Sequence, residues 1–170
     1  WTAADGMKLL PDNRPARAAR ASGISTDGHV IYGWNDTNGF RSGVVWVDGS
    51  PVEMTANPNL PYGEASGISA NDQFVVGNFA YDTISTNGAW RWNRADGSVT
   101  FIPDMDYAFA VTNDGKTVVG NISSNSQTQT QRMAMIWQEG VGTMRLADWL
   151  TAHGGSLPDG FNADLQGGVL

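Results

Sequence analysis

The chain of 170 residues contains no cysteine and only two histidines, His29 and His153. Without cysteine there are no disulfide cross-links, no thiolate metal ligands and no cysteine nucleophiles. Two histidines alone do not make a zinc site, so we predict no metal and no cofactor. We interpret His29 as a structural residue at the start of a strand. His153 is interpreted as a structural residue at a helix end, where a cation is favoured.

Positive charge is also scarce, because ten Lys and Arg stand against seventeen Asp and Glu and the net charge is −7. Such a surface repels phosphates, so we predict no nucleic-acid partner. The arginine-rich stretch 14–20 is a local exception, interpreted as a solvated connection between units, with a docking patch as the alternative. No apolar run is long enough to cross a bilayer, so no membrane insertion is predicted.

What the chain does contain is a repeat. Four tryptophans are spaced by 45, 46 and 45 residues, and each precedes a turn that carries glycine: Trp1, Trp46, Trp92 and Trp137. A second marker, typified by Ala-Ser-Gly-Ile-Ser-Thr-Asp-Gly, occurs at 21–28, 65–72 and 108–115. An apolar run ending in glycine follows each copy, at 29–33, 73–77 and 116–120. Periods of this length indicate solenoids, propellers or arrays.

Within one unit the pattern is typical of short strands and turns. In the second unit we predict strands at 65–69, 73–77, 89–93 and 98–102. Asp-Gly and Asn-Asp at the tight turns fit two-residue hairpins. Four antiparallel strands in about 45 residues predict an all-β, β-propeller-like array of four-stranded blades. The recurrent tryptophan is interpreted as core between blades, and a β-solenoid is the rival fold.

We expect one repeat domain over 1–170, with units at about 1–10 (partial), 11–55, 56–103 and 104–146. This organisation favours a partial propeller or a fragment of a larger one. The last stretch, 147–170, is expected to hold a helix insertion and the start of another repeat. Leu146, Trp149, Leu150 and His153 have helical spacing and are followed by two glycines, which predicts a short helix near 146–153.

The repeated sequence Ala-x-Gly-Ile-Ser-x-Asp-Gly-x-Val-Ile-x-Gly, followed by an apolar strand with tryptophan, resembles the HAF-type extracellular repeats of bacterial surface and autotransporter passenger proteins. The matching stretches are 21–33 with 43–47, 65–77 with 88–92, and 108–120 with 133–137. The resemblance implies an exported β-propeller-like domain and supplies no catalytic residues. Ala110 and Asp72 depart from the pattern, at positions where glycine is usual.

Binding is expected where the units differ, since variable loops on a rigid scaffold commonly carry function. The connections between second and third strands, 34–42, 78–87 and 121–132, vary in length, and the links between blades lie on the same face. Aromatic residues beside charged ones suit a glycan or a protein partner there. The candidate residues are Trp34, Asp36, Phe40, Arg41, Tyr62, Glu64, Phe79, Tyr81 and Asp82.

No motif assembles a catalytic constellation, so the leading hypothesis is a non-enzymatic binding module or scaffold at the bacterial cell surface. Export is also favoured by the low lysine content and the abundance of Gly, Asn, Ser and Thr. One alternative is a sialidase-like propeller hydrolase or lyase, whose carboxylates would converge only in space. Another is a structural repeat of an adhesin or filament. Under each of these hypotheses we expect the chain to contact further repeats, which belong to the same chain or to another one.

Overall fold

The computed structural model describes residues 3–11, 18–37, 40–54, 63–79, 88–123 and 132–158, with the backbone alone at Thr37, Phe40 and Ser123. In these ranges the chain forms twelve β-strands and one α-helix. The strands make three four-stranded antiparallel sheets, and in each sheet they pair in chain order. The all-β prediction is confirmed. Every pairing between described strands is antiparallel, which the rival solenoid would not give.

The first sheet contains β1 (Ala19–Ile24), β2 (Val30–Thr37), β3 (Phe40–Val47) and β4 (Ser50–Glu53). The second contains β5 (Gly63–Ile68), β6 (Phe74–Phe79), β7 (Gly88–Asn93) and β8 (Val99–Ile102). The third contains β9 (Tyr107–Val111), β10 (Thr117–Ser123), β11 (Arg132–Gln138) and β12 (Gly142–Arg145). The four strands predicted for the second unit are confirmed. Closure of such sheets into a ring of blades stays a prediction.

A β-bulge recurs in the first strand of every sheet and explains the glycine that closes each apolar run. The register shifts at Ser22, Ser66 and Phe109. A Cβ on the closing glycine would overlap a backbone carbonyl oxygen of the bulged strand, and this holds for Gly33, Gly77 and Gly120. The glycine is therefore required because the bulge brings the neighbouring backbone too close for any side chain.

The turn between the first and second strands is held by the recurrent hydroxyl and Asp or Asn. In the first sheet the Ser25 hydroxyl donates to Asp27 at 2.6 Å and accepts the Val30 N–H at 2.8 Å. Equivalent bonds form in the other two sheets, around Ser69 with Asn71 and Thr112 with Asp114. Four residues lie between the bonded ends Ser25 and Val30, so the predicted two-residue hairpin is wrong here. The hydroxyl and the carboxylate supply the bonds that stabilise a wider turn.

The turns between third and fourth strands are short but differ in length from sheet to sheet. Two residues, Asp48 and Gly49, join β3 to β4, and their φ angles of 49° and 80° match the two-residue hairpin predicted for Asp-Gly. Residues 94–98 join β7 to β8, and residues 139–141 join β11 to β12.

Neighbouring turns are also bonded to each other across the sheets. The Asp72 carboxylate accepts the backbone N–H groups of Thr26 and Asp27, at 3.0 and 3.3 Å. The Asn113 side chain accepts the Asn71 N–H at 3.0 Å. Asp72 has a φ of 61°, a conformation that Asp tolerates. The residue that departs from the repeat pattern therefore ties the second turn to the first.

Two apolar cores lie between the sheets in the described part of the chain. One packs Val45 of the first sheet against Val75 and Trp92 of the second, and the other packs Val76 of the second sheet against Trp137 of the third. Val75 and Val76 are adjacent on β6, so alternation along one strand supplies both cores. Each of these tryptophans faces the preceding sheet.

The recurrent tryptophans are buried, with exposed fractions of 1% for Trp46, 3% for Trp92 and 7% for Trp137. Trp46 also donates its indole N–H to the Pro11 carbonyl at 2.9 Å, so it too faces the preceding part of the chain. The predicted role as core between sheets is confirmed for Trp92 and Trp137, and Trp46 is buried. Trp1 lies outside the described residues.

The short helix α1 (Leu146–Ala152) confirms the helix prediction near 146–153. It packs on β11 and β12, and Trp149 donates its indole N–H to the Gln138 side chain at 2.9 Å. Gln138 lies on the opposite face of β11 from Trp137, because the two residues are adjacent on one strand. The helix therefore covers part of the outer face of the third sheet.

Candidate binding site at the strand ends of the first two sheets

The four candidate residues expected in the connection 34–42 lie in strands and not in a loop. Trp34 and Asp36 are on β2, Arg41 is on β3, and Phe40 begins β3. Thr37 pairs with Phe40, so only two residues separate the strands, and the prediction that 34–42 is the connection between them is wrong. Those two residues are Asn-Gly, the dipeptide that two-residue hairpins favour, and the paired strands extend up to it.

Phe79 is a core residue and not a surface contact. It is 3% exposed, and its ring centroid lies 6.4 Å from that of Trp90 and 6.1 Å from that of Phe101. It pairs with Gly63 at the end of β6, because that strand continues two residues beyond the predicted end. The candidates Tyr62, Tyr81 and Asp82, together with the Phe40 side chain, lie outside the described residues.

Three candidates do come together, and a fourth residue joins them. Glu64, on the first strand of the second sheet, accepts an N–H of Arg41 at one carboxylate oxygen, with 3.2 Å between the atoms. The other oxygen accepts an N–H of Arg20 at 2.9 Å. Both guanidinium carbons lie over the Trp34 ring, 4.8 Å from its centroid for Arg41 and 5.7 Å for Arg20. We call these four residues the arginine–tryptophan cluster.

The strand register explains this convergence. Arg20 of β1 pairs directly with Trp34 of β2, and Trp34 pairs with Gly43 of β3. Cross-strand neighbours point to the same face of a sheet, here the face toward the second sheet. A Cβ on Gly43 would lie 3.0 Å from the Trp90 indole of the second sheet, so this glycine lets that sheet approach closely. Glu64 can then reach both arginines.

Arg20 was not among the candidate residues chosen from the sequence, because the stretch 14–20 was interpreted as a connection between units. The available signal was its position two residues before the bulge, which is also the position of Glu64 in the next unit. Equivalent positions of successive units lie side by side where sheets stack. An arginine and a glutamate at that position could therefore have been expected to meet.

The cluster is partly open to solvent. The side chains of Arg20 and Arg41 are 55% and 51% exposed, while that of Glu64 is 25% exposed. The carboxylate thus lies deeper than the guanidinium groups. Exposed ion pairs contribute little to stability, at most about 1 kcal/mol each. Arginine stacked on tryptophan adds a cation–π attraction of about 0.5–1 kcal/mol at such a site.

Other side chains considered from the sequence have local contacts. His29 lies 2.5 Å from the Asp48 carboxylate at a turn, and His153 stacks on Trp149 with 4.2 Å between ring centroids. No group of three or more His, Asp or Glu suited to a metal ion occurs among the described residues. No helix in the described part of the chain is long and apolar enough to cross a membrane.

No family model matches the chain, and no curated protein matches it. Among solved structures it is similar to the crystal structure of TolB from Acinetobacter baumannii, with a TM-score of 0.49 and 16% sequence identity. The similarity covers 75% of this chain and 32% of that one, so the chain spans about a third of the length of that protein. The likeness to HAF-type repeats stays a prediction.

Proposed function

We propose that the chain is a non-enzymatic binding module of an exported bacterial surface protein. Its stacked sheets act as the scaffold, and the end that carries the β2–β3 hairpin tip contacts a glycan or a protein. The convergence of Trp34, Arg41 and Glu64 with Arg20 is the observation that supports this proposal most directly. Trp and Arg are also the residue types most enriched at the energetic centres of binding surfaces.

The scaffold supports the proposal because it holds the cluster on strands. Residues on strands are positioned more precisely than residues on free loops. Beneath the cluster, Val45 and Trp90 are fully buried between the first two sheets. The strands that carry the cluster are therefore fixed by a packed core, so little ordering of the backbone is needed when a ligand binds.

The proposal is tested by screening the purified chain against glycan and protein arrays, followed by titration of each hit. Trp34→Ala and Tyr81→Ala are expected to weaken binding at this end. Lys116→Ala is the control, since Lys116 is exposed on the turn that joins β9 to β10, at the other end of the sheets. If neither array gives a signal, or if both alanine variants bind as well as the unchanged chain, the assignment of this end is wrong.

The alternatives predict other results for the same protein. A sialidase-like hydrolase would release product from fluorogenic glycosides, and that activity would contradict the non-enzymatic proposal. A structural repeat of an adhesin or filament would give no array signal and would be found assembled with further repeats. Fractionation of the native bacterium tests export, which requires the protein in the envelope or the medium.

A further inference from the structure

The outer face of the third sheet, which is turned away from the second sheet, is built like a face that a following sheet covers. In the strand register Val119 of β10 corresponds to Val76 of β6, and Ala134 of β11 corresponds to Ala89 of β7. Val76 and Ala89 are fully buried against the third sheet. Val119 has the same apolar character but is 37% exposed. The outer face of the third sheet therefore has the residue pattern of a covered face, with its central valine open to solvent.

A second apolar side chain stands beside Val119 on this face. Phe109 lies at the bulge of β9 and is 48% exposed, and its ring stacks on that of Tyr107 with 6.3 Å between the centroids. The bulge residue of the second sheet, Ser66, donates its hydroxyl to the Ala108 carbonyl of the third sheet at 2.5 Å. A bulge residue can thus contact the following sheet. We call the surface of β9 and β10 that carries Phe109 and Val119 the open strip.

The open strip corresponds to the place where the first strand of a following sheet packs on the first two sheets. β5 packs on β1, β2 and β3, and β9 packs on β5, β6 and β7. The corresponding place on the third sheet is formed by β9, β10 and β11. The helix α1 is bonded to Gln138 of β11, about 13 Å along that strand from Ala134. α1 therefore lies beside the place of a following first strand and does not fill it.

The turn of the third sheet also has a donor of the kind that a following sheet accepts. The Asp27 N–H of the first turn is accepted by Asp72 of the second turn. The Asn71 N–H of the second turn is accepted by Asn113 of the third. Asp114 is the corresponding residue of the third turn, and its N–H has no acceptor in the part of the chain that the structure describes. An Asp or Asn in the turn of a following sheet would supply one.

At two positions the third sheet has larger residues than the second, Phe109 for Ser66 and Ala110 for Gly67. A Cβ on Gly67 would overlap the Phe109 carbonyl oxygen of β9, so this glycine lets β9 approach the second sheet. With alanine at this position, a following first strand is expected to lie farther from the third sheet than β9 lies from the second. The Phe109 ring has the volume to fill the wider gap.

We propose that the outer face of the third sheet docks a further sheet of the same repeat, which follows in the same polypeptide. Its first strand packs on the open strip, and an Asp or Asn of its turn accepts the Asp114 N–H. α1 follows β12 directly and lies on this side of the sheet, so the chain that leaves α1 starts next to the docking face. A second copy is disfavoured, because its corresponding face, that of the first sheet with Val44 and Trp46, is already buried. This inference is independent of the binding function proposed above.

The absence of cysteine allows a single thiol to report on this face. Val119→Cys is introduced into the chain of 170 residues and into the polypeptide that the native gene encodes, and both are purified. Modification by a maleimide is expected to be at least about tenfold slower in the native polypeptide, because reaction there requires opening of the docked face. Val141→Cys is the matched control. Val141 is 66% exposed on the turn between β11 and β12, so its rate should be the same in both proteins.

Photocrosslinking identifies what covers the face. Phe109 is replaced by the photoreactive amino acid p-benzoylphenylalanine in the polypeptide of the native gene, and the linked peptides are identified by mass spectrometry after irradiation. We expect a link to a peptide of the same polypeptide, in which an apolar strand precedes a turn with Asp or Asn, and no band of dimeric mass. Circular dichroism checks that each variant is folded.

Three results would overturn the proposal. One is an equal rate of modification of Val119→Cys in the two proteins. Another is a link from position 109 to a second copy or to a different protein, because another partner then occupies the face. The third is slow modification in the chain of 170 residues itself together with a dimeric mass in sedimentation. The glycan and protein arrays test the proposed function separately from all of these measurements.

Discussion

Replacement of Gly77 with alanine tests the physical reason for the repeat motif. The new Cβ would overlap both the Glu64 carbonyl oxygen of the bulged strand and the indole ring of Trp90. Neither neighbour can move easily, because one is backbone in a paired strand and the other is fully buried. Overpacking at such a site costs about 1–3 kcal/mol.

Two other effects of this substitution are smaller or absent. Gly77 has no positive φ, so the backbone itself can accept alanine without strain. The lower entropy of the unfolded chain would favour alanine by about 0.4–1 kcal/mol. The steric cost is therefore expected to exceed this gain. For a protein of this size each kcal/mol lowers Tm by roughly 2–4 °C.

The assay is urea denaturation followed by tryptophan fluorescence, with thermal melting as a second measurement. Gly155→Ala is the control, since its Cβ would meet nothing closer than 3.3 Å and its φ is not positive. Gly33→Ala and Gly120→Ala should be destabilised like Gly77→Ala, because the same carbonyl position faces them. If Gly77→Ala unfolds within about 0.5 kcal/mol of the unchanged chain, the explanation of the closing glycine is refuted.

Three further predictions concern contacts within and between the sheets. Trp137→Ala should lower the free energy of unfolding by about 3–5 kcal/mol, because the indole is only 7% exposed and lies between the second and third sheets. Equal urea midpoints for this variant and the unchanged chain would contradict the core role. Arg91 lies over the rings of Phe74 and Trp137, and its side chain is 11% exposed. Arg91→Met keeps the packing of the side-chain stem, so this variant should melt at a higher temperature than Arg91→Ala. The reverse order of melting temperatures would refute a packing role. The pKa of Asp27 is held well below its usual range by the hydrogen bond from the Ser25 hydroxyl, and then by those from the His29 N–H and Arg94. The ionised Asp27 carboxylate therefore stabilises the folded chain at a pH above its unfolded pKa of about 4. This stabilisation is lost as the pH falls below that value. Asp27→Asn, which copies Asn71 of the second sheet, should therefore reduce the loss of stability measured by urea denaturation between about pH 4 and pH 2, and an unchanged pH profile would rule out this contribution.

The sequence was sufficient for features that depend on local and periodic patterns. The four strands of the second unit and the short helix follow from alternation, turn residues and helical spacing. The burial of Trp46, Trp92 and Trp137 follows from their period, because equivalent positions of stacked units have equivalent surroundings.

Predictions about the site were less complete, because a loop and the end of a paired strand have similar composition. Trp34 and Arg41 were assigned to a loop, although the Asn-Gly between their strands indicates a short hairpin. Phe79 was considered a surface contact, and its burial depends on Trp90 and Phe101, which approach it across the sheet. The partnership of Arg20 with Glu64 joins residues 44 positions apart in different sheets.

The amino-acid sequence by itself determined the repeat, the number of strands in a unit and the residues that face a core, since these follow from spacing along the chain. Only the tertiary structure decided which side chains meet between sheets. The bulge that makes Gly77 necessary and the register that brings Arg20 and Arg41 to one carboxylate both depend on how separate strands align. Contacts of this kind arise from packing between distant segments, so the repeat can indicate which positions lie side by side but does not determine which side-chain atoms meet.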